Sequence, residues 1–272
     1  MQPFDLTEGK GPIILAFPHV GTFLPDAIAA KLNDTGKLIA DTDWFVDRLY
    51  SGLLDNATLL RANFHRYVID ANRAPSDESL YPGQNTTGLC PTTDFDGKEI
   101  YKDGMTPDAA EIEARRLAWH KPYHDALAVQ IERVKAIHGF AILYDCHSIR
   151  SHIPFLFEGK LPDFNIGTNE GTSCAKCIEK TVATHAMGAD GYTAVLNGRF
   201  KGGYTTRHYG QPDRNIHAIQ MELAQDTHLI RETTPFEYDE TKADALRLHL
   251  KAIMQDLVAL APHLSGKDAG NE

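Results

Sequence analysis

The sequence predicts an α/β fold, because strand-like apolar runs and amphipathic helix patterns both occur along the chain. Short runs rich in branched and aromatic residues occupy 12–17 and 139–144, a composition typical of buried strands. Core-facing residues recur at helical spacing over 107–139 and again over 239–260. With 272 residues, the chain is long enough to bury a sizeable core.

Composition indicates a globular protein, and the sequence argues against nucleic acids and membranes as partners. Hydrophobic residues make up 42% and charged residues 24% of the chain, which are ordinary values. A formal net charge of -10 would repel a phosphate backbone, so we expect no nucleic-acid binding. No apolar segment approaches the length of a membrane span, and the first residues lack the features of a signal peptide. Four cysteines do not resemble a disulfide framework, so the expected location is a reducing cytoplasm.

No internal repeat or low-complexity run marks a second domain. We therefore predict a single domain over 1–264, followed by a disordered tail over 265–272. The stretch 74–107 is rich in Pro, Gly, Asn, Thr and Asp and shows little periodicity. A loop of this length in a compact domain is usually a lid or pocket wall, or else it is disordered.

Histidines follow the predicted strands at 12–17 and 139–144 in a similar way. The strand at 12–17 leads into Pro18 and His19, and the strand at 139–144 leads into Asp145, Cys146 and His147. Ligands of open α/β sheets bind at the carboxyl ends of the strands. Because side chains alternate along a strand, Asp145 and His147 are expected to point the same way. Two such strand ends favour a shared metal or proton-transfer site over two separate structural histidines.

The acidic residue Asp43 lies near the start of a predicted helix. A short helix is predicted from Asp26 to about Leu32, and another begins at Asp41 or Thr42. Asp43 would then lie in a first turn, where the helix dipole favours an anion. Its alternative role is that of a carboxylate ligand beside His19, because a catalytic zinc site needs three protein ligands and an open position.

Two short strands are predicted at 58–61 and 67–69, and the second ends in polar residues. Asn72 and Arg73 follow it closely. Since a guanidinium binds a carboxylate through two parallel hydrogen bonds, they are candidates for a carboxylate clamp.

The helix over 107–139 carries two histidines one turn apart, His120 and His124. The residues between them include no acid of the HExxH kind, so we expect them to support the site or to pack. A strand at 164–169 and a helix at about 173–187 follow. The CxxC near the start of that helix lacks a second pair, and packed thiols explain it better than zinc.

Two late segments carry further candidates. The segment 197–210 concentrates three cations with Gly and hydroxyl residues, which is typical of a flexible loop for an anionic ligand or of a solvated turn. The strand at 217–223 places Gln220 and Glu222 on one face. A glutamate on an interior strand is costly unless it is paired or functional, so Glu222 is the first candidate for a general base.

Taken together, these stretches closely resemble the N-formylglutamate amidohydrolase family over nearly the whole chain. The segments that carry the resemblance are PHVG at 18–21, DTDWFVDRLY at 41–50, RYVIDANR at 66–73, DCHSIRS at 145–151, NIGTNEGTSC at 165–174, NGRFKGGYTTRHYG at 197–210 and HAIQMEL at 217–223. The family is similar to the zinc carboxypeptidases and aspartoacylases. The resemblance implies a mixed, twisted sheet of about eight strands flanked by helices, with one divalent metal, expected to be zinc, at the strand ends.

Metal ligands can be carried over by position. In those relatives the ligands are a His, a Glu three residues later and a distant His. His19 and His147 match the two histidines, whereas Thr22 stands where the relatives have Glu. The chain departs from the resemblance at this ligand, and we expect Asp43 to replace it, with Asp41 or Asp145 as alternatives.

The resemblance implies that the chain hydrolyses N-formyl-L-glutamate to formate and L-glutamate in histidine degradation. Glu222 matches the relatives' base, and Asn72 with Arg73 matches their pair that binds the substrate carboxylate. Arg66 or Arg150 is available for the formyl oxygen, and Arg207 with Thr206 for the γ-carboxylate.

Two other classes of function stay open. One is a related metal-dependent N-acyl amino acid amidohydrolase or carboxypeptidase-like enzyme that acts on another acyl group. The other is a non-catalytic anion-binding protein with the same fold. Intact His19, His147 and Glu222 favour an enzyme, because a pure binder has no need for a buried base beside two imidazoles.

Overall fold

The computed structural model describes residues 1–78, 83 and 85–264. The tail predicted to be disordered, 265–272, lies outside the described residues. No helix in the described ranges is both long enough and apolar enough to cross a membrane. That residues 1–264 form a single domain stays a prediction.

A seven-stranded mixed sheet forms the centre of the fold, in the order β1-β3-β2-β4-β7-β5-β6. Strands β2, β3, β4 and β7 run parallel to one another, β1 is antiparallel to β3, and β5 is antiparallel to β7. A separate two-stranded sheet pairs β8 with β9. The strands are β1 Phe4–Thr7, β2 Ile13–Phe17, β3 Thr58–Ala62, β4 Ala141–Ile149, β5 Phe164–Gly167, β6 Ala194–Leu196, β7 Ile216–Ala224, β8 Leu229–Arg231 and β9 Glu237–Tyr238. The mixed α/β prediction is confirmed, with seven strands in the described main sheet rather than about eight.

Helices lie along both faces of this sheet. A π-helical turn over Arg116–His120 joins α4 to α5, and Gly139 ends α5 at a φ of 83°, as predicted. The helices are α1 Asp26–Ala29, α2 Asp34–Lys37, α3 Val46–Tyr50, α4 Ala109–Arg115, α5 Lys121–His138, α6 Lys176–Met187, α7 Tyr204–Tyr209, α8 Glu240–Ala259 and α9 Ala261–Leu264. Asp108 and Asp239 cap α4 and α8 by accepting hydrogen bonds from backbone N–H groups.

Strands β4 and β7 are nine residues long and buried throughout, as expected of central parallel strands. The prediction that the first of them ends at Tyr144 is wrong, because its ladder continues to Ile149. In that ladder His147 pairs with Glu222 and Asp145 with Gln220. These polar residues can stay in the sheet because their side chains contact one another and other buried polar groups.

The two faces of β4 and β7 differ in polarity toward their carboxyl ends. One face is apolar and belongs to the core that includes α3, α6 and α8. The opposite face begins with Leu143 and Ala218, which belong to the core around α5. Farther along, that same face carries Asp145, His147, Gln220 and Glu222, the last two side by side as predicted. A polar floor is thus built at the carboxyl end of the sheet.

Three local predictions are wrong. The strand predicted at 67–69 is absent, because residues 66–68 form a turn in which the Val68 N–H donates to the His65 carbonyl. The second half of 197–210 is helix α7 and not a flexible loop. Helix α3 begins at Val46, so Asp43 lies before the helix and not in its first turn.

The backbone between Asp43 and α3 is unusual. Phe45 has a φ of 60°, a left-handed conformation that bulky residues rarely adopt. Aromatic rings of the β8–β9 region pack against this turn. Trp44 stacks on Phe236 at 4.7 Å between ring centroids, and Phe45 meets Tyr238 edge-on at 5.7 Å.

Candidate metal centre and active site

Three buried side chains converge beyond the carboxyl ends of β2 and β4. His19 lies two residues past β2, His147 lies within β4, and their ring centroids are 5.0 Å apart. Asp43 reaches them from the turn before α3, and its N–H donates to the His19 carbonyl at 3.0 Å. One potential ligand atom from each of the three lies within 4.8 Å of the others. The structure therefore brings together the three residues predicted to bind the metal.

The Nδ1 atoms of both rings face the same carboxylate oxygen. Asp43 Oδ2 is 3.7 Å from His19 Nδ1 and 3.1 Å from His147 Nδ1. Its other oxygen, Oδ1, accepts a hydrogen bond from Arg66 Nη2 at 2.5 Å. Burial alone would raise the pKa of Asp43, but Arg66 and the two imidazoles hold it well below its usual range. Asp43 is therefore a carboxylate, the form that binds a cation.

The Nε2 atoms of the same rings face two other carboxylates. His19 Nε2 is hydrogen-bonded to Asp70 Oδ1 at 2.7 Å, and His147 Nε2 lies 2.9 Å from Asp145 Oδ2. Metal-binding histidines commonly donate their second N–H to a carboxylate, which fixes the tautomer and orients the ring. With Nε2–H donated in this way, each Nδ1 would be left to offer its lone pair to an ion bound beside Asp43. His19 Nδ1 is buried and has no hydrogen-bond partner, as expected of an atom that ligates an ion.

These contacts distinguish the three acids considered as third ligand. Asp145 lies on the Nε2 side of His147, away from the shared Nδ1 region. Asp41 accepts hydrogen bonds from the Tyr67 hydroxyl at 2.7 Å and the Phe95 N–H at 2.9 Å. Asp43 alone of the three has an oxygen facing both Nδ1 atoms. The geometry and the N/O donor set thus fit a divalent ion held by His19, Asp43 and His147.

Asp70→Asn is expected to weaken metal binding about 10-fold to 100-fold, because it removes the negative charge that raises the basicity of the His19 ring. Isothermal titration of metal into apoprotein measures this change. Asp41→Asn is a matched control, since Asp41 is also buried but contacts neither imidazole through the hydrogen bonds above. If both variants and the unchanged protein bound the metal with equal affinity, Asp70 would have no effect on metal binding by His19.

Glu222 lies beside this centre on β7. It is 6% exposed, and Gln220 Nε2 donates to its Oε2 at 3.1 Å. The other end of the same amide, Gln220 Oε1, accepts from the Gly203 N–H at 2.7 Å. Burial raises the pKa of Glu222 to about 8, although the nearby His147 opposes that shift. A carboxyl group with a pKa near neutrality is suited to taking up and releasing a proton.

A cleft opens beside the predicted metal ligands and Glu222. Its free space, including the open mouth, is about 630 Å³. Its lining includes His19, Arg66, Asn72, His147 and Glu222. The same lining also includes Thr86, Thr87 and Phe95 from the long loop and Leu156, Arg199 and Phe200 from later segments. The described part of loop 74–107 thus contributes a pocket wall.

The predicted substrate arginines occupy different surroundings. Arg66 and Arg73 line the cleft, and Arg73 Nε donates to the Thr87 carbonyl at 2.8 Å. Arg150 is not among the described residues that line it, and its guanidinium binds Asp96 at 3.0 and 3.4 Å. Within the described chain Arg207 also lies outside the lining, with its Nε donating to the Gly202 carbonyl at 2.9 Å.

The two remaining substrate-binding candidates, Asn72 and Thr206, differ in whether they line the cleft. Asn72 lines it, and its side chain also links two elements, since Nδ2 lies 3.1 Å from His147 Nε2 and Oδ1 accepts from the Thr205 N–H at 2.8 Å. Thr206 is fully buried in α7, and its side chain packs against Gly202. It does not reach the described lining of the cleft.

His120 and His124 support the segment that carries Asn72 and Arg73. Nε2 of His120 is 3.0 Å from the Arg73 carbonyl, and Nε2 of His124 is 2.8 Å from the Ala71 carbonyl. Burial lowers the pKa of His124 to about 3, so this ring is neutral. Both histidines therefore have the supporting role expected from the sequence.

Sequence reasoning assigned no role to three residues that the structure places at the site. Asp70 orients His19 across 51 positions of sequence, Gln220 holds Glu222, and Arg199 lines the cleft. The strand pattern already placed Gln220 on the face of Glu222. The cationic composition of 197–210 pointed to Arg199 and Arg207 equally.

Three comparisons with known proteins, each covering most of the chain, find the same family. The sequence profile of the family described as N-formylglutamate amidohydrolase matches residues 11–229. An N-formylglutamate deformylase from Pseudomonas aeruginosa is 46% identical over 261 residues, which cover 95% of this chain and 97% of that protein. One from Pseudomonas putida is 44% identical over 253 residues, covering 93% and 94%. The crystal structure of N-formylglutamate amidohydrolase from Ralstonia eutropha has a TM-score of 0.81 at 25% identity, covering 97% of this chain and 99% of that one.

The matched range includes the convergent residues described above. His19, Asp43, His147 and Glu222 all fall within residues 11–229. The profile and the relatives identify a hydrolase that acts on an amide bond. The chain belongs to the N-formylglutamate amidohydrolase family.

Proposed function

We propose that this chain hydrolyses N-formyl-L-glutamate to formate and L-glutamate with the help of one divalent metal ion. The observation that carries the proposal is the convergence of His19, Asp43 and His147 beside Glu222 in one cleft. The names of the two Pseudomonas relatives support this choice of substrate. Following the resemblance, we also propose that the reaction serves histidine degradation in the cytoplasm.

His19, Asp43 and His147 are the proposed metal ligands, and zinc is the proposed metal. A divalent ion held there would supply Lewis acidity, which makes water more acidic and polarises a carbonyl group. Asp70 and Asp145 keep the Nδ1 lone pairs of the two histidines directed toward the site.

Glu222 is the proposed general base and acid. It takes a proton from the water molecule that attacks the formyl carbon, and then delivers a proton to the nitrogen as the C–N bond breaks. Gln220 keeps one oxygen of Glu222 hydrogen-bonded, which orients the carboxyl group. Formate leaves with the attacking oxygen, and the nitrogen leaves as the amine of L-glutamate.

Arginines are the proposed partners of the developing and permanent negative charges. We favour Arg66 over Arg150 near the formyl oxygen, because Arg66 lines the cleft and is held in place by Asp43. Asn72 and Arg73 are proposed to bind the α-carboxylate. Arg207 and Thr206, the residues expected at the γ-carboxylate, are better placed to support the segment that includes Gly202.

The chain is expected to release formate from N-formyl-L-glutamate faster than acetate from N-acetyl-L-glutamate. One extra methyl group in a fitted pocket changes kcat/KM by about 10-fold to 200-fold. Coupled assays for formate and acetate measure both rates. Faster acetate release would favour an amidohydrolase for another acyl group. Stoichiometric binding without any product in a single-turnover experiment would favour a non-catalytic anion-binding protein.

A further inference from the structure

We propose that Gln225 and His228 are positioning residues that hold Asp43 at the metal centre and thereby raise the affinity of the centre for its ion. The inference rests on the proposed function, because Asp43 is one of the proposed metal ligands. Both side chains belong to the segment directly after β7, the strand that carries Glu222. Neither is among the described residues that line the cleft, so each acts through Asp43 and not on the substrate.

Asp43 lies in a segment that regular secondary structure does not hold. Residues 41–45 belong to no helix or strand. The other two proposed ligands differ in this respect, since His147 lies within β4 and His19 only two residues beyond β2. The Asp43 N–H donates to the His19 carbonyl at 3.0 Å, which fixes one backbone group of the segment. The direction of the carboxylate therefore also depends on what holds the neighbouring peptide groups.

Gln225 binds the peptide group before Asp43. Its Nε2 donates to the Thr42 carbonyl at 2.9 Å and to the Ser148 hydroxyl at 3.3 Å. The Ser148 N–H in turn donates to Asp43 Oδ2 at 3.2 Å. All four residues are buried, and a buried carbonyl that loses its donor is costly because water does not replace it. One side chain thus contacts both the backbone before Asp43 and a strand residue that binds its carboxylate.

His228 binds the peptide group after Asp43. Its Nε2 lies 3.0 Å from the Trp44 carbonyl, and its Nδ1 lies 3.2 Å from the Thr227 hydroxyl. Because a carbonyl oxygen can only accept, Nε2 is the atom that carries the proton. Burial lowers the pKa of His228 to about 4, so the ring is neutral near pH 7. The carbonyl groups of Thr42 and Trp44, on either side of Asp43, are therefore both held by buried side chains of one segment.

These contacts connect the proposed base to the proposed metal ligand. Glu222 pairs with His147 in the sheet, and the chain reaches Gln225 three residues later. The end of β7 and the segment after it thus position Glu222 and Asp43 relative to each other. An ion binds more tightly where its ligands are already in place, because less of the binding energy is spent on ordering them. Loss of either contact should therefore weaken metal binding although all three ligands remain.

The test removes the two donors one at a time with Gln225→Met and His228→Met. Each variant is expected to bind cobalt(II) about 10-fold to 100-fold more weakly, the range found when a partner that orients a metal ligand is lost. Cobalt(II) is the probe because its visible absorption responds to the arrangement of its ligands. Titration into apoprotein gives the dissociation constant, and the spectrum of the bound ion should also change, because Asp43 is no longer held in one direction.

Further variants separate positioning from packing. In His228→Gln, the amide nitrogen can donate from nearly the same place as the imidazole Nε2, so most of the affinity should return. His217→Met is the matched control, because burial also lowers the pKa of His217 to about 4, but its Nδ1 accepts from the Ala175 N–H near the opposite end of β7. Gln130→Met is the control for the glutamine, since Gln130 is buried in α5 and its amide donates to Glu8. Both controls should leave the affinity and spectrum of cobalt(II) unchanged.

Unchanged cobalt affinity in both Gln225→Met and His228→Met would overturn the proposal, and so would an equal loss in the two controls. If the unchanged protein bound neither cobalt nor zinc, the proposed metal centre would fail instead. Crystal structures of the metal-free variants would then still decide the inference. An Asp43 carboxylate displaced from the two imidazoles supports the positioning role, and one that keeps its place rejects it.

Discussion

Glu222→Gln is expected to lower kcat about 10²-fold to 10⁴-fold while the protein keeps its metal, because an amide of the same shape cannot take up a proton. The Gln220 amide can still donate a hydrogen bond to the new side-chain oxygen, so the local packing should be preserved. Steady-state kinetics with N-formyl-L-glutamate measures kcat, and elemental analysis measures bound metal. KM should change little, since Glu222 is not one of the groups proposed to bind the carboxylates.

A second glutamate provides the control for this experiment. Glu232 is half-buried and accepts hydrogen bonds from the N–H and hydroxyl of Ser151, outside the described lining of the cleft. Glu232→Gln should keep a normal kcat. Near-normal turnover by metal-loaded Glu222→Gln would mean that another group takes the proton from water.

Removal of the metal with a chelator is expected to abolish turnover, and one equivalent of zinc should restore it. The apoprotein should also melt at a lower temperature, because the two imidazoles and the carboxylate of the proposed site come together only in the folded state. An ion present at 100 times its dissociation constant adds about 2.7 kcal/mol to the free energy of unfolding. Scanning calorimetry with and without zinc measures this stabilisation independently of activity.

Asp43→Asn should bind zinc weakly and show little of this stabilisation. His185→Gln is the matched control, since His185 pairs with Asp256 at the surface and should not affect the zinc response. Full activity in protein shown to be metal-free, or a normal zinc-induced shift in Asp43→Asn, would reject the proposed centre.

Much of the fold can be predicted from the sequence, because its central elements have strong local patterns. The buried strands β2, β4 and β7 and the helices α5 and α8 all appear where apolar periodicity predicts them. The short strands β1 and β6 were missed, since three or four residues carry too little pattern. The polar end of β4 lacks an apolar pattern, and His147 in it contacts Asp43 from a distant part of the chain.

For the candidate site, the sequence indicates the histidines and the glutamate more clearly than the arginines. The sequence singles out His19, His147 and Glu222 as candidates because each lies at or just beyond a strand, and parallel strands bring their ends together. The arginines were harder to assign. Arg199 and Arg207 share one segment, and only the fold shows that helix α7 carries Arg207 away from the cleft lining of the described chain.

The left-handed residue Phe45 connects the small β8–β9 ribbon to the position of Asp43. A bulky residue in this conformation costs about 1–3 kcal/mol and persists only where its surroundings enforce it. Here the enforcing contacts come from Phe236 and Tyr238, which hold Trp44 and Phe45. The ribbon therefore holds in place the turn that positions Asp43, so a variant that loosens the ribbon should also displace this carboxylate.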